Sequence, residues 1–241
     1  MLTDLEKRRS VKALVFGVSQ TGKSTFAFAL ALSRRKQVIV WDANEVFIGT
    51  VEKPVNNLDD LKDAIEHKEP VVVFDASYVA DKPETFEAFA AVLESYDGHT
   101  LLIDESGDIQ RASGPNHGLD RLLRRAGRRG NDVIETTHRP TDIATLNRQL
   151  TTDIFLFFMW NRKGLKAVAD EFGENVAIAE SELPADGYAY VYLDPHTGGF
   201  EVIDEPDSWF IDLEEPVSER RAFRAPAKVN RPVNIFEPME A

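Results

Sequence analysis

Gly17-Val18-Ser19-Gln20-Thr21-Gly22-Lys23-Ser24 is a complete G-x-x-x-x-G-K-[ST] loop. The apolar run Ala13–Phe16 before it reads as a buried strand, and Thr25–Leu32 after it as an apolar helix. Between strand and helix, such a loop turns successive backbone N–H groups and a helix N-terminus toward one point, which makes an anion cradle. Gly17, Val18, Ser19, Gln20, Thr21, Gly22, Lys23, Ser24 and Thr25 are therefore candidate contacts to nucleotide phosphates. Lys23 would reach the β- and γ-phosphates, and the Ser24 hydroxyl would ligate Mg²⁺. The sequence implies a nucleoside triphosphate with Mg²⁺ as the bound species.

Outward from the loop, strand signals alternate with helical stretches, the pattern of a mostly parallel α/β sheet flanked by helices. Strands are expected at Lys12–Phe16, Gln37–Asp42, Glu69–Asp75, His99–Glu105, Asp132–Thr137 and Asp153–Phe158. Their near-continuous Val, Ile, Leu and Phe point to burial on both faces. Helices are expected at Thr25–Arg35, Leu58–Glu66, Pro83–Tyr96 and Leu119–Arg129. Asn57 or Asp59 would cap the second, and Thr141 or Asp142 a short helix ending at Leu150. Tyr188–Leu193, the turn Asp194–Gly199 and Phe200–Ile203 read as a β-hairpin at the sheet edge. Residues 1–205 thus form one domain, and 206–241, rich in proline, an extended tail.

A phosphate loop establishes binding, not turnover. Leu101-Leu102-Ile103-Asp104-Glu105 supplies the missing chemistry, a carboxylate pair at the tip of a buried strand. Asp104 would hold Mg²⁺ through its water shell, and Glu105 would orient or deprotonate the attacking water. Asp42 and Asp75 also end strands but have no acidic neighbour, which suits capping or the nucleotide's periphery better. Thr136, Thr137 and His138, ending the next strand, are candidate detectors of the γ-phosphate.

The net charge of −13 means that any contact with a polynucleotide is local, because a uniformly acidic surface repels phosphates. Arg121, Arg124, Arg125, Arg128 and Arg129 concentrate positive charge in one helix, flanked by Arg111 and Arg139. The guanidinium fork suits phosphate, though a solvated helix face accounts for such a run equally well. One of these arginines could enter an adjacent subunit's site as a finger, which requires a ring. With no cysteine, disulfides and thiolate metal sites are excluded. No apolar run reaches the ~18 residues of a membrane helix, and the start lacks the apolar core of a signal peptide, so a soluble intracellular protein is expected.

The order P-loop, Leu-Leu-Ile-Asp104-Glu105, arginine helix ending Arg124-Arg-Ala-Gly-Arg-Arg-Gly130, strand and Thr137-His138-Arg139-Pro140 resembles the HerA/FtsK superfamily of DNA-pumping ATPases. The small genome-packaging ATPases of tailless, internal-membrane icosahedral viruses are the most similar members, over roughly residues 10–160. The resemblance implies a RecA-like fold and a hexameric ring with double-stranded DNA in its channel. It further implies Asp104 and Glu105 as the Walker B pair, and a trans-acting finger among Arg124, Arg125, Arg128 and Arg129. Capsid or portal-vertex proteins become expected partners, and the host cytoplasm or the virion the expected location. Where the superfamily often carries Gln before Arg-Pro, this chain carries His138. Gly107–Gly118, with Arg111, Asn116 and His117, would be a candidate channel loop, with an ordinary surface loop as the competing account. Two other readings are a filamentous-phage-like assembly or secretion ATPase, whose relatives usually carry a membrane anchor, and a nucleotide-gated scaffold without turnover.

Overall fold

A computed structural model describes residues 9–110, 116–159, 162–184 and 188–203. Six parallel strands form most of one sheet: β1 (Lys12–Phe16), β2 (Gln37–Asp42), β3 (Val71–Asp75), β4 (His99–Ile103), β5 (Asp132–Thr137) and β6 (Asp153–Phe157). The antiparallel strands β7 (Tyr190–Leu193) and β8 (Phe200–Ile203) extend it from β6, giving the order β3-β2-β4-β5-β1-β6-β7-β8. The hairpin therefore joins the core sheet's edge, as its sequence led one to expect. Its turn closes through Asp194, whose carbonyl accepts from Gly198 N–H and whose N–H donates to Gly199.

Helices α1 (Lys23–Ser33), α2 (Leu58–Glu66), α3 (Lys82–Leu93), α4 (His117–Arg129), α5 (Thr145–Leu150), α6 (Arg162–Phe172) and α7 (Glu174–Ser181) connect the strands. Helix α1 covers one face, where Phe26 packs on Phe155, Phe157 and Tyr190 at ring distances of 4.8, 5.4 and 4.9 Å. On the other face α2, α3 and α4 bury Trp41, Phe74, Phe86 and Phe89, the first two stacked at 5.4 Å. Under α6 and α7 a third cluster gathers Leu14, Phe16, Leu156, Val168 and Val176. Among the described residues no helix is long and apolar enough to cross a membrane.

Several boundaries differ from those expected. Helix α1 begins at Lys23 rather than Thr25, because the phosphate loop feeds directly into its first turn, and it ends at Ser33 rather than Arg35. Strand β4 stops at Ile103, and Glu105 takes a left-handed conformation (φ 53°) that a strand cannot contain. Strand β3 starts at Val71, β6 ends at Phe157, and α3 runs Lys82–Leu93 with Asp81 as its cap. Asn57 caps α2 by accepting from the N–H groups of Asp59 and Asp60. Thr141 and Asp142 cap nothing: they lie in a single 3-10 turn, and α5 starts three residues later with Ala144 before it. Helices α6 and α7 had no counterpart in the sequence reading. The expected tail at 206–241 and Arg111 lie outside the described residues.

The sheet's N-terminal edge is tied by one carboxylate. Asp132, fully buried, accepts from Val11 N–H (2.7 Å), Arg34 Nε (2.9 Å), Thr100 Oγ1 (3.0 Å) and Lys36 Nζ (2.8 Å). The charge is thus both paired and fully hydrogen-bonded, the condition under which a buried ion is tolerated. Removing it leaves the Arg34 guanidinium, whose side chain is 1% exposed, without its counter-charge. Asp132→Ala should lower the unfolding free energy by about 3–5 kcal/mol in urea denaturation. A loss below about 1 kcal/mol would show that this network carries little of the stability.

Candidate active site

Parallel strands place all their C-terminal ends on one edge, and the loops that follow β1, β2, β4 and β5 meet there. The phosphate loop is pinned between its neighbours: Gly17 N–H donates to Thr137 O (3.3 Å) and Val18 N–H to Phe158 O (3.2 Å). Gly17 has no room for a side chain, since a Cβ would stand 2.7 Å from Phe157 Cβ. Gly22 takes φ 82°, a left-handed conformation costly for any residue with a Cβ, and from there Lys23 starts α1. Thr21 closes the turn by donating from Oγ1 to Val18 O at 2.9 Å. Lys23 is buried at the cradle, and Ser19 and Gln20 are exposed at its tip.

The two expected halves of the site converge. Ser24 Oγ donates to Asp104 Oδ1 at 3.1 Å, across 80 residues of chain. The same oxygen accepts from Thr136 Oγ1 at 2.9 Å, while Asn44 Nδ2 donates to Asp104 Oδ2 at 3.3 Å. Ser24 and Asp104 thus present two hard oxygens side by side, a donor set that fits Mg²⁺ when water and substrate phosphates supply the remaining positions. Among the described residues no three His, Cys, Asp or Glu side chains group to hold a metal by themselves.

Glu105 stands beside this pair with its carboxylate fully engaged. Oε1 accepts from Thr137 Oγ1 (3.2 Å) and His138 N–H (3.4 Å), and Oε2 meets His138 Nε2 at 3.1 Å. His138 Nδ1 lies 3.1 Å from Gly17 O, so the imidazole bridges the phosphate loop and the carboxylate. A carbonyl oxygen only accepts, which puts a proton on Nδ1. Burial pushes the Glu105 carboxyl above the usual carboxylate range, opposed by His138 and Lys23. A carboxylate with raised proton affinity is a better general base. Thr136 holds Asp104 and also accepts from Glu105 N–H (3.1 Å), so one hydroxyl orients both acids.

Other candidates lie elsewhere. Asp42 is buried and accepts from the N–H groups of Asn44, Val46 and Phe47, the capping role expected of it, as Asp75 does for Ser77. Asn116, expected in a channel loop, is instead a buried cap of α4 that also donates to Pro83 O and Ile109 O. The arginine helix runs away from its own phosphate loop, because Arg129 reaches Asp97 and Glu94 O beside the N-terminal end of β4. Arg121 and Arg125 share Glu94, and Arg124 pairs with Asp120. Any contact of Arg124, Arg125, Arg128 or Arg129 with a phosphate loop would be with another subunit's.

Two buried glutamates were missed by sequence reasoning. Glu180, on α7, accepts from Met159 N–H and so braces the segment after β6 that holds Val18. Glu135 lies in β5, where it accepts from Asn147 Nδ2 (3.4 Å) beside Ser106. Burial raises both to about 7. The available signal was a carboxylate in the middle of an apolar strand, at Glu135.

No family model matches the sequence, and no curated protein matches it. By fold the chain is similar to the genome packaging NTPase B204 of Sulfolobus turreted icosahedral virus 2, solved with ATP-gammaS. The TM-score is 0.67 at 18% identity, over 82% of this chain and 98% of that one. It is also similar to VirB4 of Thermoanaerobacter pseudethanolicus, with TM-score 0.52, 9% identity and coverage of 74% and 86%. EccC (ATPases 2 and 3) of Thermomonospora curvata gives 0.54 at 17% identity, over 80% of this chain and 37% of that one.

Glu135 generates a test of this site's foundation. Its folded pKa of about 7 exceeds the ordinary 4.5, so the native state holds a proton that the unfolded chain releases first. That contribution is fully present below pH 4.5 and lost as pH rises through 7. Glu135→Gln should therefore gain on the parent by up to about 3 kcal/mol from roughly pH 4.5 to 8 in denaturant melts. Parallel stability curves for the two proteins would refute it. The described chain is similar in fold to that viral genome packaging NTPase.

Proposed function

We propose that this protein is an ATP-hydrolysing motor that moves double-stranded DNA, working as a homo-oligomeric ring in viral genome packaging. The observation that carries the reading is the 3.1 Å contact between Ser24 and Asp104, with Glu105 and His138 at the same rim. ATP enters with its β- and γ-phosphates on the backbone N–H groups of Gly17–Ser24 and on Lys23. Mg²⁺, when bound, neutralises the developing charge and is held by Ser24 and, through water, by Asp104. Glu105 leaves its donors to orient and deprotonate the water, and His138 and Thr137 respond to the γ-phosphate.

The finger would come in trans from Arg124, Arg125, Arg128 or Arg129. The ion pairs of Arg124 and Arg125 are surface pairs, with side chains 54% and 52% exposed, and such pairs exchange partners at little cost. A finger typically contributes about 10³-fold or more in rate. The fold likeness to a virus's genome packaging NTPase supports this reading over a scaffold, and Glu105 at the phosphate loop supports turnover. The likeness to VirB4 and EccC favours a second reading, an assembly or secretion ATPase of the same chemistry.

Steady-state ATPase assays of the parent, Lys23→Ala and Glu105→Gln across a duplex-DNA titration, with native mass measurement, test the reading. Duplex DNA should stimulate the parent as a ring. Lys23→Ala should lose nucleotide binding, and Glu105→Gln should keep binding while turnover falls by about 10²–10⁴-fold. Near-zero, DNA-independent hydrolysis by an assembled ring would overturn the motor in favour of the scaffold.

A further inference from the structure

Tyr188 belongs to none of the machinery above, yet its ring lies against the phosphate loop. A Cβ placed on Gly22 would meet that ring first, with Cδ1 at 2.3 Å, Cε1 at 2.7 Å and Cγ at 3.5 Å. The contact is built rather than incidental. Strand residues alternate faces, so Tyr190 and Tyr192 of β7 share the face covered by α1, and Tyr188 precedes that strand by two residues. Tyr190 packs on Phe26 of α1 at 4.9 Å, and Tyr192 on Phe155 at 5.4 Å while donating to Asp153 Oδ1 at 2.9 Å. With β7 locked in this way, and antiparallel to β6, the chain just before it returns to the C-terminal edge of the sheet. Tyr188 thereby arrives at the start of α1, half-buried, with part of its surface toward solvent.

The strand order fixes which part of a nucleotide would lie there. Asp104, Glu105 and His138 follow β4 and β5, on one side of β1. They mark the γ-phosphate end. A triphosphate laid along the loop must then carry its nucleoside out over the other side, toward β6 and β7. Among the described residues, Tyr188 is an aromatic side chain that the fold brings against the loop on that side. We infer that Tyr188 is the nucleobase platform of this site, its ring stacking on the base while its edge seats against Gly22. The inference rests on the nucleotide reading given above and adds to it the residue that recognises the base. Stacking is tolerant of base identity, because every base has a π-face, so Tyr188 would strengthen binding without sharp discrimination among purines.

The test separates a base contact from a brace for the loop. Calorimetric titrations of the full chain with a non-hydrolysable ATP analogue and with inorganic tripolyphosphate, both with Mg²⁺, compare the parent with Tyr188→Ala and Tyr188→Phe. Tyr188→Ala should weaken the analogue by on the order of tenfold or more while tripolyphosphate binding stays within about twofold. Tyr188→Phe, which keeps the ring, should bind both as the parent does. Equal loss of both ligands in Tyr188→Ala would overturn the inference and make the ring a support for Gly22. So would unchanged analogue affinity in Tyr188→Ala, or a loss in Tyr188→Phe as large as in the alanine variant. A parent that binds neither ligand would overturn the nucleotide reading itself and this inference with it.

Discussion

The Asp104 carboxylate gathers donors from three separate parts of the chain: Ser24 at the start of α1, Asn44 after β2 and Thr136 at the end of β5. No two of these are neighbours in sequence, so the meeting exists only if β2, β4, β5 and β1 stand side by side in that order and point the same way. Parallel pairing makes this possible because every connection returns across a helix, and all strand tips finish on one edge. The geometry of the site is therefore a consequence of sheet register. A slip of one residue in β4 would turn Asp104 toward the opposite face and separate it from Ser24.

The two edges of the sheet treat charge differently. At the N-terminal edge, Asp132 is saturated by donors and fully paired, which suits a structural tie. At the C-terminal edge, Glu105 is held by the weaker donors Thr137 and His138, and burial raises its proton affinity. In β5, Glu135 is buried with an amide as its main partner and favours the protonated form. Such incompletely compensated carboxyl groups cost stability, and they concentrate where chemistry requires groups that can gain or lose a proton.

The aromatic packing on the α1 face serves the same edge. Phe26, Phe155, Phe157 and Tyr190 fasten the helix that the phosphate loop feeds to the strands that flank it. The loop's first residues are thereby fixed by Thr137 and Phe158 through its backbone, and its last feeds directly into the anchored helix. A rigid cradle loses little entropy when an anion enters it. Glycine at 17 and at 22 answers to crowding at both positions, and at 22 to backbone conformation as well.

Most strands and the phosphate loop were legible because their signals are local: continuous β-branched and aromatic runs, and a motif whose residues are adjacent. The pairing of Ser24 with Asp104 was legible only as an expectation, because two motifs fix chemistry but not distance. Helices α6 and α7 were not read in advance; α7 carries little amphipathic signal and takes its place from packing against β6 and β7. Glu180, Glu135 and Tyr188 stayed silent for a related reason. A carboxylate or a ring in a sequence looks the same whether it is solvated, paired or laid against a loop, and burial is decided by residues far away in the chain. The sequence by itself determined the alternation of strands and helices, the phosphate cradle and the acidic pair. Only the tertiary structure decided that Asn116 is a buried cap, that the arginine helix points away from its own loop, and that Tyr188 lies against Gly22. Those are properties of strand order, which no local pattern encodes.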